Sequence, residues 1–255
     1  LTRAGEELLR EGRWLLRAAG DLEYRLRRVA TGYETELRLV HESLIRSETF
    51  IPDLRAFQGL ECGTRVRVGS ETMTGTWEAL RENRADLIVA AGDGPSGGGY
   101  HAVPIGRISF VFCVAPSHPL SKSRRPLSNE DLAAHTAIVV ADSARLLPPR
   151  TVGLLSGQQR ITVPDMSAKI ALQRAGLGYG FLPRPWIEHD LAAGTLLELR
   201  VEEPRPEETL WLACKITERG EALKWWWQRL QRDLLPGPAA PAQHQPTRKR
   251  RARHP

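Results

Sequence analysis

The sequence of 255 residues contains few cysteines and no long apolar run. No segment approaches the roughly eighteen uncharged apolar residues that a membrane-spanning helix requires, and the first residues contain no apolar core of a secretory signal. The cysteines are odd in number, lie far apart and form no C-x-x-C pair, which argues against a disulfide framework or a zinc site. They are Cys62, Cys113 and Cys214. We therefore expect a cytoplasmic protein with no metal site and no membrane contact.

The sequence also lacks the motifs of common catalytic sites. Neither G-x-S-x-G nor H-E-x-x-H is present, and no pair of carboxylates stands out from the helical background. Five of the seven histidines lie before the C-terminal tail and occur singly, at His41, His101, His118, His135 and His189. We expect neither an enzyme nor a bound cofactor, although a catalytic site assembled in space by the fold stays open as an alternative.

Positive charge is concentrated at the C-terminus. The formal net charge is +6, and most of it comes from Arg248, Lys249, Arg250, Arg251 and Arg253. The rest of the chain is therefore nearly neutral. Residues 236–255 are rich in proline, alanine and glutamine and contain too little apolar surface to fold. We predict a disordered basic tail there, which either stays solvated or touches nucleic-acid phosphates without sequence preference.

Apolar residues recur at an interval of seven in the N-terminal segment, which predicts a long linker helix over residues 1–30. A heptad spacing forms a seam that packs against another helix. Because no second long helix is evident nearby in the sequence, we predict a dimerisation helix, with an intramolecular partner as the alternative. The seam consists of Leu1, Leu8, Leu15, Leu22 and Val29.

After residue 35, short apolar strands alternate with helices, a pattern typical of an α/β fold with a largely parallel sheet. The strands are predicted at 36–41, 64–70, 86–92, 107–116, 136–141, 159–164, 178–183, 195–200 and 208–216. The helices are predicted to begin near Pro52, at Thr76, at the capping box of Ser128 and Asp131, at Asp165, at Pro183 or Pro185, and at Thr217. The last helix carries an apolar stripe of Leu223, Trp226, Trp227, Leu230 and Leu234.

The segment RAGLGYGFLP, residues 174–183, has glycines at three alternate positions and so suggests a nucleotide-binding loop. Such a loop requires a strand before the glycines and a helix after them. Here the helical pattern comes first, from Asp165 to Gly176, and a short strand follows. We therefore predict a tight helix-to-strand turn, with nucleotide binding as the less favoured alternative.

Two segments have the character of crossings between lobes. The strand at 107–116 leads into the turn-rich SHPLSKSRRPLS, and the loop VEEPRPEE precedes the strand at 208–216. These crossings predict one lobe of residues 35–106 with 208–235, and a second lobe of residues 107–207. Ligands of such folds bind at the carboxyl ends of parallel strands, so we expect a cleft between the lobes.

Several stretches together resemble one known family. LTRAGEELL resembles the segment that closes the winged helix-turn-helix of LysR-type transcriptional regulators and opens their linker helix. VGSETMTGTWEALRENRADLIVAAG, VFCVAPSHPLS, LSNEDLAAHTAIVV and DMSAKIALQRAGLGYGFLPRPWI are similar to successive parts of the effector-binding domain of that family. The resemblance implies a linker helix followed by a two-lobed domain with the periplasmic-binding-protein-like type II fold.

The resemblance also implies the function. A small-molecule effector, either a small organic acid or an aromatic compound, would bind between the lobes of a dimer or tetramer and control transcription. The DNA-reading helices of the family precede the LTRAG-like segment, and this sequence begins with that segment, so we expect DNA contact only through a reader head missing from the chain. A solute-binding receptor of a transporter, or an enzyme on the same two-lobed fold, are the alternatives.

In the family the effector is held by loops at strand ends, which directs attention to polar residues that follow the predicted strands. Hydroxyls and free N–H groups at the start of a helix are suited to carboxylates and other small anions. The alternative role for the same residues is ordinary helix capping. The predicted effector-binding residues are Ser43, Leu44, Thr72, Met73, Thr74, Ser143 and Asp165.

Overall fold

The computed structural model describes residues 2–8, 11–12, 26, 32–92, 99–150, 155, 157–216 and 220–231. Residues 3–8 are helical, and Leu8, the one predicted seam residue in the described part of the chain, is 75% exposed. The other four seam residues lie outside the described residues, as does the predicted tail at 236–255: Leu1, Leu15, Leu22 and Val29.

The chain folds into two lobes, each built on a β-sheet with helices packed against it. In chain order the strands are β1 (Glu36–Glu42), β2 (Arg65–Glu71), β3 (Leu87–Ala91), β4 (Tyr100–Ile108), β5 (Phe110–Val114), β6 (Ala137–Val140), β7 (Arg160–Val163), β8 (Gly180–Pro183), β9 (Leu197–Glu198) and β10 (Glu208–Lys215). The α-helices are α1 (Ile51–Gln58), α2 (Thr74–Arg81), α3 (Asn129–Ala133), α4 (Met166–Arg174), α5 (Arg184–Ala193) and α6 (Glu221–Leu230).

Lobe I contains the sheet with strand order β2-β1-β3-β10-β4, together with α1, α2 and α6. β1 pairs in parallel with β2 and β3, whereas β10 runs antiparallel to β3 and β4. Every residue of β3 is buried, as expected for a central strand whose two faces are both covered by other elements. The sheet is therefore mixed, and the expectation of a largely parallel sheet was wrong for the strands near β10.

Lobe II contains β5 to β9 and helices α3 to α5. β5 lies between β8 and β9 and is antiparallel to both, while β6 and β7 are parallel. A parallel bridge from Ala137 to Tyr179 joins these two small sheets at the start of β8. The largest apolar core cluster contains residues of both lobes, among them Leu39 and Leu87 from lobe I and Ile138 and Leu182 from lobe II.

The first crossing between the lobes differs from the prediction. The strand predicted at 107–116 is two strands that belong to different sheets, since β4 ends at Ile108 and β5 begins at Phe110. β4 was not recognised in the sequence, because proline and glycine, here Pro104 and Gly106, are unusual inside strands. β4 is an edge strand, where proline is tolerated, and a register irregularity lies opposite these residues in β10. The lobe boundaries themselves stay predictions.

Local signals in the helices have the expected geometry. Ser128 and Asp131 form the reciprocal bonds of a capping box at the start of α3, and Asp165 accepts from the backbone N–H of Ala168 at the start of α4. The glycine-rich segment is a helix-to-strand turn, as predicted. A Cβ at Gly178 would lie 2.4 Å from the carbonyl oxygen of Thr136, so this close approach excludes larger residues.

The C-terminal helix begins later than predicted. Its first residue is Glu221 rather than Thr217, because Gly220 has an extended backbone and is the N-cap. The predicted apolar stripe is buried at Leu223, Trp226, Trp227 and Leu230, while Leu234 lies outside the described residues. The strand predicted at 195–200 is also shorter, since only Leu197–Glu198 pairs with β5. Within the described residues, no helix is long and apolar enough to span a membrane.

Candidate functional site

An inter-lobe cleft opens at the carboxyl ends of β1, β2, β3, β6 and β7, where the fold predicts a ligand site. The cleft has a volume of about 510 Å³, including the part that is open to solvent. A second hollow lies beside it and shares Arg150, Arg205 and Glu208. The cleft is lined by Glu42, Ser43, Leu44, Thr72, Met73, Ala91, Val140, Arg150, Met166, Lys169, Arg205 and Glu208.

The walls of the cleft come from both lobes. Glu42 lies on the lobe I side and Lys169 on the lobe II side. The contacts that hold the lobes together therefore help to determine the shape of the site.

On the lobe I side, Glu42 at the end of β1 is fully buried. Its Oε2 accepts hydrogen bonds from the backbone N–H of Met73 at 2.8 Å and the hydroxyl of Thr76 at 3.1 Å, and its Oε1 accepts from the Ser43 hydroxyl at 3.1 Å. Burial raises the pKa of Glu42 to about 7, and these hydrogen bonds oppose the rise. Glu42 thus fixes the start of α2 while presenting a carboxyl group to the cleft.

The predicted residues Ser43 and Thr72 lie together on this wall. The Thr72 hydroxyl donates to the Ser43 hydroxyl at 3.4 Å, and Ser43 in turn donates to Glu42. Their hydroxyl protons are therefore directed towards Glu42 in this structure, and only their lone pairs are left for a ligand. That these hydroxyls contact an effector stays a prediction. Leu44 and Met73 line the same wall with apolar groups.

On the lobe II side, Lys169 of α4 is buried with 6% exposure and lines the cleft. Its ammonium group forms no hydrogen bond and no ion pair with any of the described residues. Burial, and then the positive charge of Arg205, lower the pKa of Lys169 to about 7. A buried ammonium without a partner is unfavourable, and an anion placed beside it would remove that penalty.

Arg205 and Glu208 also line the cleft, at the point where the second crossing leads into β10 of lobe I. Arg205 forms an ion pair with Glu208, and its guanidinium carbon lies 3.7 Å from the centre of the Phe110 ring. Its charge is therefore largely used within the protein, although its Nε is buried without a partner in the described part of the chain. Arg150, the third cation on the walls, is exposed to solvent, which leaves Lys169 as the buried cation available to a ligand.

The lobes are connected beside the cleft by a clasp, which we define as Glu78, Asp142 and Ser143 with their partners. Glu78 lies on α2 of lobe I, and its side chain is 1% exposed. Its carboxylate accepts from three successive backbone N–H groups of lobe II, those of Arg145, Leu146 and Leu147, at 2.8 to 3.1 Å. These bonds lower the pKa of Glu78 to about 2.

The clasp is reciprocal, because lobe II supplies a carboxylate to lobe I. Asp142, just after β6, accepts from the backbone N–H groups of Thr74 and Gly75 in the first turn of α2 at 3.3 and 3.2 Å. The Ser143 hydroxyl accepts from the backbone N–H of Thr72 at 2.8 Å. A Cβ at Gly75 would lie 2.0 Å from the Ser143 hydroxyl oxygen, so this fit depends on glycine.

Four of the seven predicted site residues line the cleft: Ser43, Leu44, Thr72 and Met73. The other three lie nearby but not on its walls. Ser143 belongs to the clasp, Thr74 donates its backbone N–H to Asp142, and Asp165 is exposed and caps α4. The described part of the chain contains no cluster of histidine, cysteine, aspartate or glutamate that could hold a metal ion.

Sequence reasoning missed three charged residues of the cleft: Lys169 on lobe II, and Arg205 and Glu208 at the second crossing. One signal for Lys169 was present, because it stands at helical spacing in a buried stripe with Met166, Ile170 and Gln173. A lysine in such a stripe is unusual and indicates a special role. Arg205 and Glu208 gave no comparable signal, since they lie in or beside a loop rich in charged residues.

Comparisons with known proteins agree with this architecture. Residues 30–235 match the family model of the LysR substrate binding domain. The chain is 34% identical over 226 residues to the uncharacterized HTH-type transcriptional regulator YeeY of Escherichia coli, covering 88% of this chain and 73% of YeeY.

Two solved structures have the same fold. Full-length LysG from Corynebacterium glutamicum with bound effector Arg has a TM-score of 0.60 at 18% identity and covers 92% of this chain and 79% of LysG. The effector binding domain of QuiR in complex with shikimate has a TM-score of 0.58 at 17% identity and covers 77% of this chain and 95% of that domain. The chain thus belongs to the LysR-type transcriptional regulators and carries their two-lobed effector-binding domain with the periplasmic-binding-protein-like type II fold.

Proposed function

We propose that this chain binds a small organic acid in the inter-lobe cleft and transmits the resulting change of lobe arrangement to the DNA-binding head of the regulator. The single observation that carries the proposal is the buried ammonium of Lys169, which faces the cleft without a partner among the described residues. A small acid would neutralise it there. The neighbours LysG and QuiR, which hold arginine and shikimate, support small-molecule binding in a domain of this fold.

The proposed mechanism is a coupling between ligand binding and lobe arrangement. The walls of the cleft come from both lobes, and the clasp joins the same lobes beside it. A ligand that contacts both walls has different affinities for the open and closed arrangements, and this difference is what shifts the equilibrium between them. The linker helix would carry the shift to the DNA-binding head.

The same proposal includes the assembly and location of the protein. The heptad seam favours a dimer or tetramer, and the 75% exposure of Leu8 is what an unpaired seam residue shows in a single chain. We place the protein in the cytoplasm and assign it no catalytic role, because its relatives are described as transcriptional regulators.

The test is a thermal-shift screen of aliphatic and aromatic carboxylic acids, followed by hydrogen exchange on each stabilising compound. A true effector should slow amide exchange on both walls at once, at residues 42–44 and 72–73 of lobe I and at 166–170 of lobe II. The matched amides and alcohols, which lack the acid group, are the control compounds. Two outcomes would show that the cleft is not an acid sensor: stabilising acids that protect amides only outside the cleft, or a screen in which no acid stabilises the protein.

A further inference from the structure

We propose that the effector carries two different polar ends, a carboxylate that binds Lys169 of lobe II and a hydrogen-bond donor, a hydroxyl or an amine, that binds Glu42 of lobe I. The inference rests on the proposed function and adds the chemical class of the ligand and its orientation. It follows from which polar groups in the cleft are already satisfied by the protein itself.

The start of α2 is not available to a ligand carboxylate, although a helix N-terminus is often an anion site. The backbone N–H of Met73 already donates to Glu42, and those of Thr74 and Gly75 already donate to Asp142. Two carboxylates of the chain thus occupy the position where the sequence suggested that an acid would bind. A second anion there would also be repelled by Glu42 and Asp142.

The acid end of the ligand is therefore directed to the opposite wall. Arg205 is paired with Glu208 and stacked on Phe110. Arg150 is exposed to solvent, whereas Lys169 is buried and has no acceptor among the described residues. Lys169 is also 6% exposed and lines the cleft, so its ammonium has lost most of its contact with water. A carboxylate at this position would supply the missing partner.

The other end of the ligand meets an acceptor. Each oxygen of a carboxylate can accept about two hydrogen bonds. Among the described residues, only the Ser43 hydroxyl donates to Oε1 of Glu42, so this oxygen can accept a further hydrogen bond. The negative charge of Glu208 adds to the field near Glu42. A hydroxyl or ammonium group fits this place, and a second carboxylate does not.

Apolar side chains line the space between these ends. Leu44 and Met73 contribute from lobe I, and Val140 and Met166 contribute from lobe II. This part of the cleft suits a short carbon skeleton, which would keep the two polar ends apart and bridge the lobes.

The experiment uses isothermal titration and thermal shift on the full chain. The compounds are amino acids and hydroxy acids of two to six carbons, with the donor at either the α or the ω position. Each is compared with the unsubstituted acid and with the amine or alcohol of the same length. We expect the best two-ended compound to bind about tenfold or more tightly than either one-ended partner, because each charged hydrogen bond contributes at least that factor.

Two variants assign the ends. Lys169→Met should lose the preference for the acid group, while Lys122→Met, which changes an exposed lysine, should keep it. Glu42→Gln should lose the preference for amines over hydroxyls of the same skeleton, because the charge that attracts the ammonium is removed. This ratio compares two ligands on one variant, so a change in the stability of the unliganded protein does not affect it.

Equal binding of plain acids and two-ended acids would overturn the inference, as would a two-ended ligand that binds Lys169→Met unchanged. Failure of every compound in the set to bind would overturn it too. The proposed function fails separately, in the wider acid screen, if no acid protects both walls of the cleft from exchange. An aromatic monoacid that protects both walls would support the sensor and refute the two-ended ligand.

Discussion

The clasp predicts that one buried carboxylate on α2 stabilises the closed arrangement of the lobes. The perturbation is Glu78→Gln, which keeps the shape of the side chain and removes its charge. Glutamine retains one carbonyl oxygen but turns an NH₂ group towards backbone N–H donors of the segment 145–147. We expect the variant to fold, because Glu78 contributes nothing to the apolar cores of the two lobes.

The expected loss of stability follows from the three backbone N–H groups that donate hydrogen bonds to Glu78. A hydrogen bond to a charged group contributes roughly 1.5 to 3 kcal/mol, against roughly 0.5 to 1.5 kcal/mol between neutral groups. Removing the charge therefore costs about 1 kcal/mol for each bond, or about 3 kcal/mol in all. For a protein of this size, that corresponds to a fall in Tm of roughly 6 to 12 °C.

The dependence on pH provides an independent check. The pKa of Glu78 is lowered from 4.5 to about 2 in the folded protein. Because the folded-state pKa lies below the unfolded value, the charge stabilises the fold above about pH 4.5, and this contribution is lost as the pH falls towards about 2. The difference in Tm between wild type and Glu78→Gln should thus be constant near neutral pH and shrink over that acidic range.

The assays are calorimetry across pH and hydrogen exchange at the amides of Arg145, Leu146 and Leu147. Exchange there should accelerate in Glu78→Gln, because these amides lose a charged acceptor. The matched control is Glu188→Gln, which changes an exposed glutamate on α5. If Glu78→Gln melts like Glu188→Gln, and the three amides exchange at the wild-type rate, the clasp does not stabilise the closed lobes.

Three further predictions concern the cleft, the turn and the linker helix. Ser43→Ala and Thr72→Val should each reduce the thermal shift produced by an acid that also carries a hydroxyl or ammonium donor, because the free lone pairs of both hydroxyls can accept from that donor, and should leave the unliganded Tm within a few degrees; full shifts in both variants would show that neither hydroxyl contacts the ligand. Gly178→Ala should lower the free energy of unfolding by about 1 to 3 kcal/mol, because its Cβ would meet the carbonyl of Thr136; an unchanged denaturant midpoint would contradict this. Deleting residues 1–30 should lower the oligomeric state in light scattering, and a monomeric intact chain would refute the dimerisation helix.

Features encoded by neighbouring residues could be predicted from the sequence. The capping box at Ser128 and Asp131, the N-cap at Asp165 and the helix-to-strand turn at Gly176 each depend on residues a few positions apart. Their chemistry is local, so the pattern and the structure agree. The edge strand β4 was missed because Pro104 and Gly106 are local signals against a strand. Its pairing with β10, which is distant in sequence, outweighs those signals.

Contacts between distant residues could not be predicted. Glu78 and the amides of residues 145–147 are 67 to 69 positions apart, and Asp142 and Thr74 are 68 apart. Nothing in the sequence around Glu78 distinguishes it from an exposed helical glutamate. Its burial results from the way the two lobes meet, which depends on the whole topology.

Clasp and cleft act on the same equilibrium, and this sets a condition on the ligand. Arg150, eight residues after Asp142, donates its backbone N–H to Asp142 at 2.7 Å and also lines the cleft. Parting the lobes far enough to admit a ligand would strain the bonds of Asp142 and Glu78 before the ligand forms its own. If only open molecules admit the ligand, the apparent affinity falls in proportion to the fraction of molecules that are open. A variant that weakens the clasp should therefore bind the same acid faster, and more tightly wherever the bound arrangement does not itself need the clasp.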